Sequence, residues 1–272
     1  MQSESNCKYR HIILDFKILN KEKKHLRLGL VGRRLSHSFS KKYFEEEYHE
    51  PYTLIELDDL TELTEIIEDL GLDGFNVTIP FKRDIVPMLD GIDPAAREIG
   101  AVNTVVVRKG NDEGKPKMYG YNTDAPAFLD TLRPHLIERH RRALVLGSGG
   151  ASCAVAWALR QLGIEYRVVS RSAEANPRCI SYNEARALVM NGGYTIIINT
   201  TPAGMYPQCD ESPWQWPELI DSHHLCYDLI YNPSPTLFLQ KASKRGAKTV
   251  DGLAMLHRQA DLAYKIWTSA TQ

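Results

Sequence analysis

A glycine-rich turn between an apolar strand and an alanine-rich helix is the feature that most constrains the fold of this chain. The segment reads Arg142-Ala-Leu-Val-Leu-Gly-Ser-Gly-Gly-Ala-Ser152, and Gly163 closes the helix predicted after it. A further strand is predicted for residues 164–169. This order of strand, G-x-G-x-x-small turn, helix and strand is typical of a dinucleotide-binding unit. Gly147 allows the tight turn, and Gly149 lets the backbone approach a pyrophosphate at the helix N-terminus.

The residues after the second strand indicate which dinucleotide binds. NAD sites usually carry an acid there, which holds the ribose 2′-hydroxyl. Here the chain has Ser170-Arg-Ser172 and no acid. Arg171 can face a 2′-phosphate and the serines can donate to it, so the sequence favours NADP.

A second stretch, Gly74-Phe-Asn-Val-Thr-Ile-Pro-Phe-Lys82, ends a predicted strand in polar residues. Asn76 and Thr78 alternate with apolar positions, so both can point the same way. Pro80 cannot continue a central strand, and apolar residues at helical spacing predict a helix that begins near Lys82. A lone lysine is usually a solvated surface residue. Three polar groups converging at one strand end nevertheless indicate a functional site. A helix start disfavours the charged form of a lysine, and this suits a lysine that must give and take a proton.

Other polar residues have both a structural and a functional interpretation. Ser38 and Ser40 precede a predicted helix, where they either cap it or form a cradle for a carboxylate. Asp124 is either an N-cap or a partner of Lys82, if the two strand ends are neighbours. Gln259 is the one polar residue on the core face of the last helix that can reach a ligand.

Composition excludes several classes of protein. The chain has 272 residues and a net charge of −1, without the basic excess that nucleic-acid and membrane surfaces need. Its five scattered cysteines form no C-x-x-C pair, which fits reduced thiols in a cytoplasm rather than disulfides or zinc. His223 and His224 have no partner at ligand spacing, so we expect them on the surface and expect no metal. No apolar run is long enough to span a membrane, and no signal peptide is evident.

Together these stretches resemble the shikimate dehydrogenase family over essentially all of the chain after residue 25. Seven ordered segments carry the resemblance: His37-Ser-Phe-Ser40, Asn76-Val-Thr-Ile-Pro-Phe-Lys82, Gly100-Ala-Val-Asn-Thr104, Asn122-Thr-Asp124, Gly147-Ser-Gly-Gly-Ala151, Asn199-Thr-Thr-Pro-Ala-Gly-Met205 and Asp251-Gly-Leu-Ala-Met-Leu-His-Arg-Gln259.

The resemblance implies an α/β fold with two α/β domains. Residues 25–125 and 253–272 would form a substrate-binding and catalytic domain, to which the C-terminal helix returns. Residues 126–252 would form a Rossmann-type domain that binds NADP, and residues 1–24 an N-terminal extension. The implied reaction is the reversible NADPH-dependent reduction of 3-dehydroshikimate to shikimate in chorismate biosynthesis. The implied protein is cytoplasmic, a monomer or homodimer that binds small molecules, with no nucleic acid or membrane partner.

The same resemblance implies roles for individual residues. Lys82 and Asp124 would be the catalytic pair, and Ser38 and Ser40 would hold the substrate carboxylate. The other implied substrate-binding residues are Asn76, Thr78, Asn103, Tyr231 and Gln259. The implied cofactor-binding residues are Gly147, Ser148, Gly149, Gly150 and Ala151 for the pyrophosphate, Ser170 and Arg171 for the 2′-phosphate, and Leu229 and Gly252 near the nicotinamide.

Two alternatives remain open at this point. The nearest is an NAD-preferring quinate/shikimate dehydrogenase, which comparable turnover of NAD with quinate would support. The other is a non-catalytic nucleotide sensor on the same fold. Retention of both Lys82 and Asp124 argues against the sensor, since a sensor needs neither. A pure binding module is the least favoured, because it leaves the polar strand ends unexplained.

Overall fold

The computed structural model describes residues 25–35, 38–110 and 115–270, so the extension predicted for residues 1–24 lies outside the described part. The described strands are β1 Leu28–Gly32, β2 Tyr52–Glu56, β3 Gly74–Val77, β4 Gly91–Ile92, β5 Thr104–Arg108, β6 Lys117–Tyr121, β7 Arg142–Leu146, β8 Glu165–Val169, β9 Cys179–Ile180, β10 Ile196–Asn199, β11 Leu225–Asp228 and β12 Lys248–Val250. The described α-helices are α1 Phe39–Glu47, α2 Leu63–Leu70, α3 Pro94–Ile99, α4 Asp124–Leu132, α5 Gly150–Gln161, α6 Tyr182–Met190, α7 Leu237–Lys244 and α8 Leu253–Ala270. Short 3₁₀ helices cover Val86–Met88, Arg133–His135, Ala173–Ala175 and Pro217–Leu219.

The chain divides into two compact units, each with its own sheet. The first contains the described residues up to Thr123 together with those from Ala260 onward, and the second is Asp124–Gln259. The first sheet has the strand order β2-β1-β3-β5-β6-β4 and is mixed, because β5 runs antiparallel to both β3 and β6. The second has the order β12-β11-β10-β7-β8-β9 and is parallel throughout. The predicted α/β fold class with two α/β units is confirmed.

The first unit buries both faces of its sheet. Because side chains alternate along a strand, Val31 packs with the apolar face of α2, while Leu30 packs with Phe44 and Trp267. Trp267 lies on the second half of α8, and its Nε1–H donates to the Val105 carbonyl over 2.9 Å. The C-terminal helix therefore returns to the first unit.

The helix predicted to begin near Lys82 is wrong. Residues 79–85 form turns, followed only by the 3₁₀ segment Val86–Met88. Pro87 explains this, because a proline inside an α-helix lacks the N–H and its ring clashes with the carbonyl four residues earlier. Lys82 therefore does not lie in the first turn of a helix.

The second unit has the strand order of a dinucleotide-binding sheet. The order reverses between β7 and β10, and ligands of such sheets bind at the carboxyl ends of the strands beside that point. Gly147 follows β7 there, and Asn199 ends β10. The predicted turn is therefore at the position in the sheet where a nucleotide binds.

The surface position expected for His224 is wrong. The residue is only 7% exposed, and its ring Nδ1 lies 2.8 Å from Oδ1 of Asp221. The turn before β11 folds this ring inward, whereas His223 stays exposed. Within residues 25–35, 38–110 and 115–270, no cluster of three or more His, Cys, Asp or Glu residues could hold a metal ion. The helices of these same ranges include none with the length and apolar character that a membrane span requires.

Candidate functional site

The start of α1 presents the two serines predicted to bind a carboxylate. Ser38 occupies the N-cap position, yet its side chain makes no capping hydrogen bond within the described residues. Ser40 lies in the first turn, and both residues are half-buried. Backbone N–H groups at a helix start point outward and favour an anion. The Ser38 side chain therefore does not cap α1 in the described structure, and the carboxylate cradle stays a prediction.

Asn76 lies in a buried polar network at the centre of the first sheet. Its Oδ1 accepts the Tyr52 hydroxyl over 2.7 Å. Its Nδ2 donates to the Asn103 carbonyl and to Oγ1 of Thr104, each over 3.0 Å. Both amide hydrogens of Asn76 are therefore used within the protein. The network joins β2 to β3, and β3 to the residues at the start of β5.

Asn103 is 2% exposed and is fixed by Thr123, the last residue before α4. Its Oδ1 accepts the Thr123 N–H over 2.7 Å, and its Nδ2 donates to Oγ1 of Thr123 over 2.9 Å. This pair orients the Asn103 amide from across the sheet. It fixes the chain where the predicted Asn122-Thr-Asp124 motif begins.

Lys82 follows the end of β3 in a run of turns. The Thr78 N–H donates to the Val31 carbonyl over 2.9 Å, and the Phe81 N–H donates to the Thr78 carbonyl over 2.9 Å. The Lys82 carbonyl accepts from Val102 N over 2.8 Å. These bonds fix the backbone of Lys82 against the sheet and leave its side chain half-buried.

The remaining residues predicted to contact the substrate belong to the second unit. Asp124 is the first residue of α4 and is 6% exposed. Burial raises the pKa of Tyr231, which keeps its hydroxyl protonated and able to donate. Gln259 is half-buried, and its Nε2 donates to the Leu256 carbonyl over 2.9 Å. The pairing of Asp124 with Lys82 stays a prediction.

The glycine-rich turn has the geometry that a pyrophosphate needs. Gly147 has φ +105°, in the left-handed region that favours glycine, and its N–H donates to the Val169 carbonyl over 2.8 Å. Gly149 is the N-cap of the twelve-residue helix α5, and a Cβ built there meets nothing within 4 Å. Ser152 fits the third position because its hydroxyl donates to the Gly149 carbonyl over 2.6 Å. The residues present therefore fit a bound dinucleotide.

Ser148 and Ser170 lie together beside this turn, with their hydroxyl oxygens 3.4 Å apart. The Ser172 N–H donates to Oγ of Ser170 over 3.2 Å. Arg171 is exposed and lies between Ser170 and Ser172 in the chain. Burial raises the pKa of Tyr182, and the positive charge of Arg171 opposes that rise. An exposed arginine flanked by serines can bind a phosphate.

Leu229 and Gly252 are in direct backbone contact. A Cβ added to Gly252 would lie 2.0 Å from the Leu229 carbonyl oxygen, so only glycine fits there. The Gly252 N–H also donates to the Ile230 carbonyl over 3.0 Å. The two residues predicted to lie near the nicotinamide are thus neighbours at the carboxyl ends of β11 and β12.

Sequence reasoning missed three residues that hold these groups in place. Tyr52 and Thr123 orient the two asparagines of the first unit, and Asp228 is a fully buried carboxyl group at the end of β11. Asp228 follows an apolar strand and directly precedes Leu229, which is the signal that could have identified it. The residues next to Tyr52 in the sequence carry no signal that could have identified it.

The strand order of the second sheet and the glycine turn at its switch point define an α/β protein with a dinucleotide-binding unit. Residues 30–105 match the family model described as the shikimate dehydrogenase substrate binding domain. The NADP(+) shikimate dehydrogenase of Caldanaerobacter subterraneus subsp. tengcongensis is 36% identical in an alignment 260 positions long, which covers 88% of this chain and 90% of that protein. The chain belongs to the shikimate dehydrogenase family.

Solved structures agree with this assignment. The Thermus thermophilus shikimate 5-dehydrogenase in complex with NADP(H) and shikimate is 34% identical, with a TM-score of 0.73 over 90% of this chain and 94% of that one. The Corynebacterium glutamicum quinate dehydrogenase in complex with NAD is 26% identical, with a TM-score of 0.77 over 90% and 94% of the two chains. The fold therefore occurs with either cofactor.

Proposed function

We propose that this protein is a cytoplasmic shikimate dehydrogenase that reduces 3-dehydroshikimate to shikimate with NADPH, reversibly, as a step towards chorismate. The observation that carries the proposal is that one chain combines the glycine turn of the second unit with the polar strand ends of the first. Curated relatives named as NADP(+) shikimate dehydrogenases, 33–36% identical over almost the whole chain, support the same reaction.

Each group of residues would have a separate task in substrate binding. Ser38 and Ser40, with the N–H groups of the α1 start, would hold the substrate carboxylate. The remaining substrate groups would be contacted by Asn76, Thr78, Asn103, Tyr231 and Gln259. A substrate that lacks one hydroxyl would leave a buried polar group unpaired, which is a strong source of selectivity.

Proton transfer would be the task of Lys82 and Asp124. Bound NADPH supplies the hydride, and the protein supplies orientation and one proton. As negative charge develops on the carbonyl oxygen, the Lys82 ammonium group would stabilise and protonate it. Asp124 would keep the lysine oriented. In the reverse direction, the same lysine would accept the proton of the hydroxyl group.

The cofactor would bind at the carboxyl ends of β7 and β8. Residues 147–151 would receive the pyrophosphate, since Gly149 has no side chain and open space around it. Ser170 and Arg171 would bind the 2′-phosphate, and Leu229 with Gly252 would line the nicotinamide side. The fit of these residues supports NADP. The protein would act on small molecules as a monomer or a homodimer.

Two other functions remain as rivals. An NAD-preferring quinate/shikimate dehydrogenase is the first, since a quinate dehydrogenase from Corynebacterium glutamicum has the same fold and is in complex with NAD. A non-catalytic nucleotide sensor would need the turn at Gly147 but neither Lys82 nor Asp124.

The test is to follow absorbance at 340 nm with purified protein in four combinations, shikimate or quinate with NADP⁺ or NAD⁺. We expect a rise in absorbance with shikimate and NADP⁺, at a kcat/KM well above the other three. A higher kcat/KM for NAD⁺ with quinate would instead identify the quinate-type enzyme. No rise in any combination, with a folded protein that still binds NADPH, would identify a sensor.

A further inference from the structure

Asp228 is a carboxyl group buried without any exposed surface at the end of β11. In the described structure, its oxygens accept hydrogen bonds from neutral donors. Oδ1 accepts from Nδ2 of Asn199 over 2.9 Å and from the Ile230 N–H over 3.0 Å, and Oδ2 accepts from Oγ1 of Thr236 over 2.7 Å. Burying a carboxylate is costly unless its oxygens are well bonded, so this group indicates a task beyond filling space.

Two of these three bonds close a loop, residues 229–236, that begins immediately after Asp228. Ile230 stands at one end of the loop, and Thr236 stands at the other, where its hydroxyl also caps α7. Leu229, predicted to lie near the nicotinamide, directly precedes Ile230, and Tyr231, predicted to contact the substrate, directly follows it. The carboxyl group therefore sets the path of residues 229–236 from both ends.

The same carboxyl group is linked to the glycine-rich turn. Asn199, which donates to Asp228, accepts on its Oδ1 from the N–H and the hydroxyl of Thr201, over 2.9 and 2.7 Å. A Cβ added to Gly147 would lie 2.8 Å from Cγ2 of Thr201, so this side chain packs directly on the turn. One continuous set of contacts thus connects the loop after β11, the end of β10 and the turn after β7.

We propose that Asp228 is a positioning residue for hydride transfer, whose carboxylate fixes loop 229–236 relative to the glycine-rich turn. The inference rests on the function proposed above. It extends that function because Asp228 would hold the loop beside the nicotinamide in place. The phosphates would be bound by other residues, 147–151 and Arg171. A misplacement of about 1 Å at the reacting centre can cost about 100-fold in rate, whereas the predicted phosphate contacts come from residues outside this loop.

The experiment compares Asp228→Ala and Asp228→Asn with wild type, and Asp221→Asn is the matched control. Asp221 precedes the opposite end of β11, and its partners there are His223 and His224. Steady-state kcat and KM for shikimate oxidation would be measured alongside the Kd of NADPH by fluorescence titration. A urea midpoint for each variant would establish that it is folded.

We expect kcat of Asp228→Ala to fall roughly 10- to 100-fold while the NADPH Kd changes less than about 3-fold. Asp228→Asn keeps one acceptor oxygen for Asn199 and Ile230, so it should recover most of the lost kcat. The control should keep wild-type kcat and Kd. An unchanged kcat in Asp228→Ala, or a Kd that rises as much as kcat falls, would overturn the inference.

Two conservative variants decide the question if Asp228→Ala does not fold. Thr236→Val removes the hydroxyl that donates to Oδ2, and Asp228→Asn removes one acceptor oxygen, so each should lower kcat measurably but much less than Asp228→Ala does. The double variant should lose less than the product of the two losses. Wild-type kcat in both would overturn the inference while leaving the proposed function intact. An inactive wild type would overturn the proposed function itself, and with it the inference.

Discussion

Tyr52 donates its hydroxyl to Oδ1 of Asn76 over 2.7 Å, and both side chains are buried. The bond determines which way the Asn76 amide faces, so that Nδ2 points to Asn103 and Thr104. Asn76 thereby supports Asn103, a predicted substrate contact. Its own contact with the substrate stays a prediction.

Tyr52→Phe should lower the free energy of unfolding by about 1–3 kcal/mol, because it leaves the buried Oδ1 of Asn76 without its donor. Stacking of ring 52 on Phe44, at 4.6 Å between centroids, would be retained. Urea unfolding measures the change. Tyr166→Phe, which removes an exposed bond to Arg160, should change stability by less than about 0.5 kcal/mol. Equal losses in both variants would contradict a special role for Tyr52.

Gly149→Ala should leave the melting temperature unchanged and weaken NADPH binding at least about tenfold. The new Cβ meets no protein atom within 4 Å, but it would occupy the space that the pyrophosphate needs. Gly147→Ala should instead destabilise the fold by more than about 1 kcal/mol, since φ is +105° and Thr200 and Thr201 lie within 2.9 Å of the added atom. Thermal unfolding and NADPH titration of both variants separate the two effects. Normal NADPH affinity in a folded Gly149→Ala variant would show that the pyrophosphate does not bind at this turn.

Arg171→Ala should weaken NADP⁺ binding about 10- to 100-fold, the loss expected for a charge-assisted bond to phosphate, and change NAD⁺ binding little. The measurement is kcat/KM with each cofactor. Arg139→Ala, an exposed arginine before β7, serves as the control and should keep both values. Equal losses for the two cofactors would mean that Arg171 does not bind the 2′-phosphate.

Lys82→Ala should lower kcat by orders of magnitude with only a modest change in substrate binding, because the proton donor would be absent from the transition state. Lys117→Ala removes an exposed lysine from β6 of the same unit and should leave kcat unchanged. Stopped-flow hydride transfer and equilibrium shikimate binding provide the two measurements. A wild-type kcat without this lysine would exclude it from the mechanism.

Asp228 should make stability fall as pH rises from about 4 to about 7. Burial raises its pKa from 3.8 to about 6, although the hydrogen bonds from Thr236, Ile230 and Asn199 oppose the rise. A raised folded-state pKa gives stability that is complete below pH 3.8 and is lost as pH rises through 6. Asp228→Asn cannot ionise. The difference in unfolding free energy, wild type minus variant, should therefore decrease by on the order of 1–3 kcal/mol between pH 4 and 7. A difference that stays constant across this range would contradict the raised pKa.

The dinucleotide-binding unit could be recognised from the sequence because its signals are local. Gly147, the N-cap at Gly149 and the apolar strand before them act on neighbouring residues, so their spacing specifies a turn wherever the segment lies in the sheet. The strand predicted for residues 164–169 is β8, which begins one residue later, at Glu165. The helix expected at Lys82 failed although its signal was also local, because Pro87 lies inside the proposed span.

Only the tertiary structure decided which side chains support the site. The bond from Asn199 to Asp228 joins residues 29 positions apart, and the bond from Asn76 to Thr104 joins residues 28 apart. Such partners depend on strand order, which brings distant segments to one sheet edge and is not encoded near either residue. The sequence by itself determined the fold class and the candidate groups for chemistry. The packing of the strands determined that Tyr52, Thr123 and Asp228 hold those groups in position.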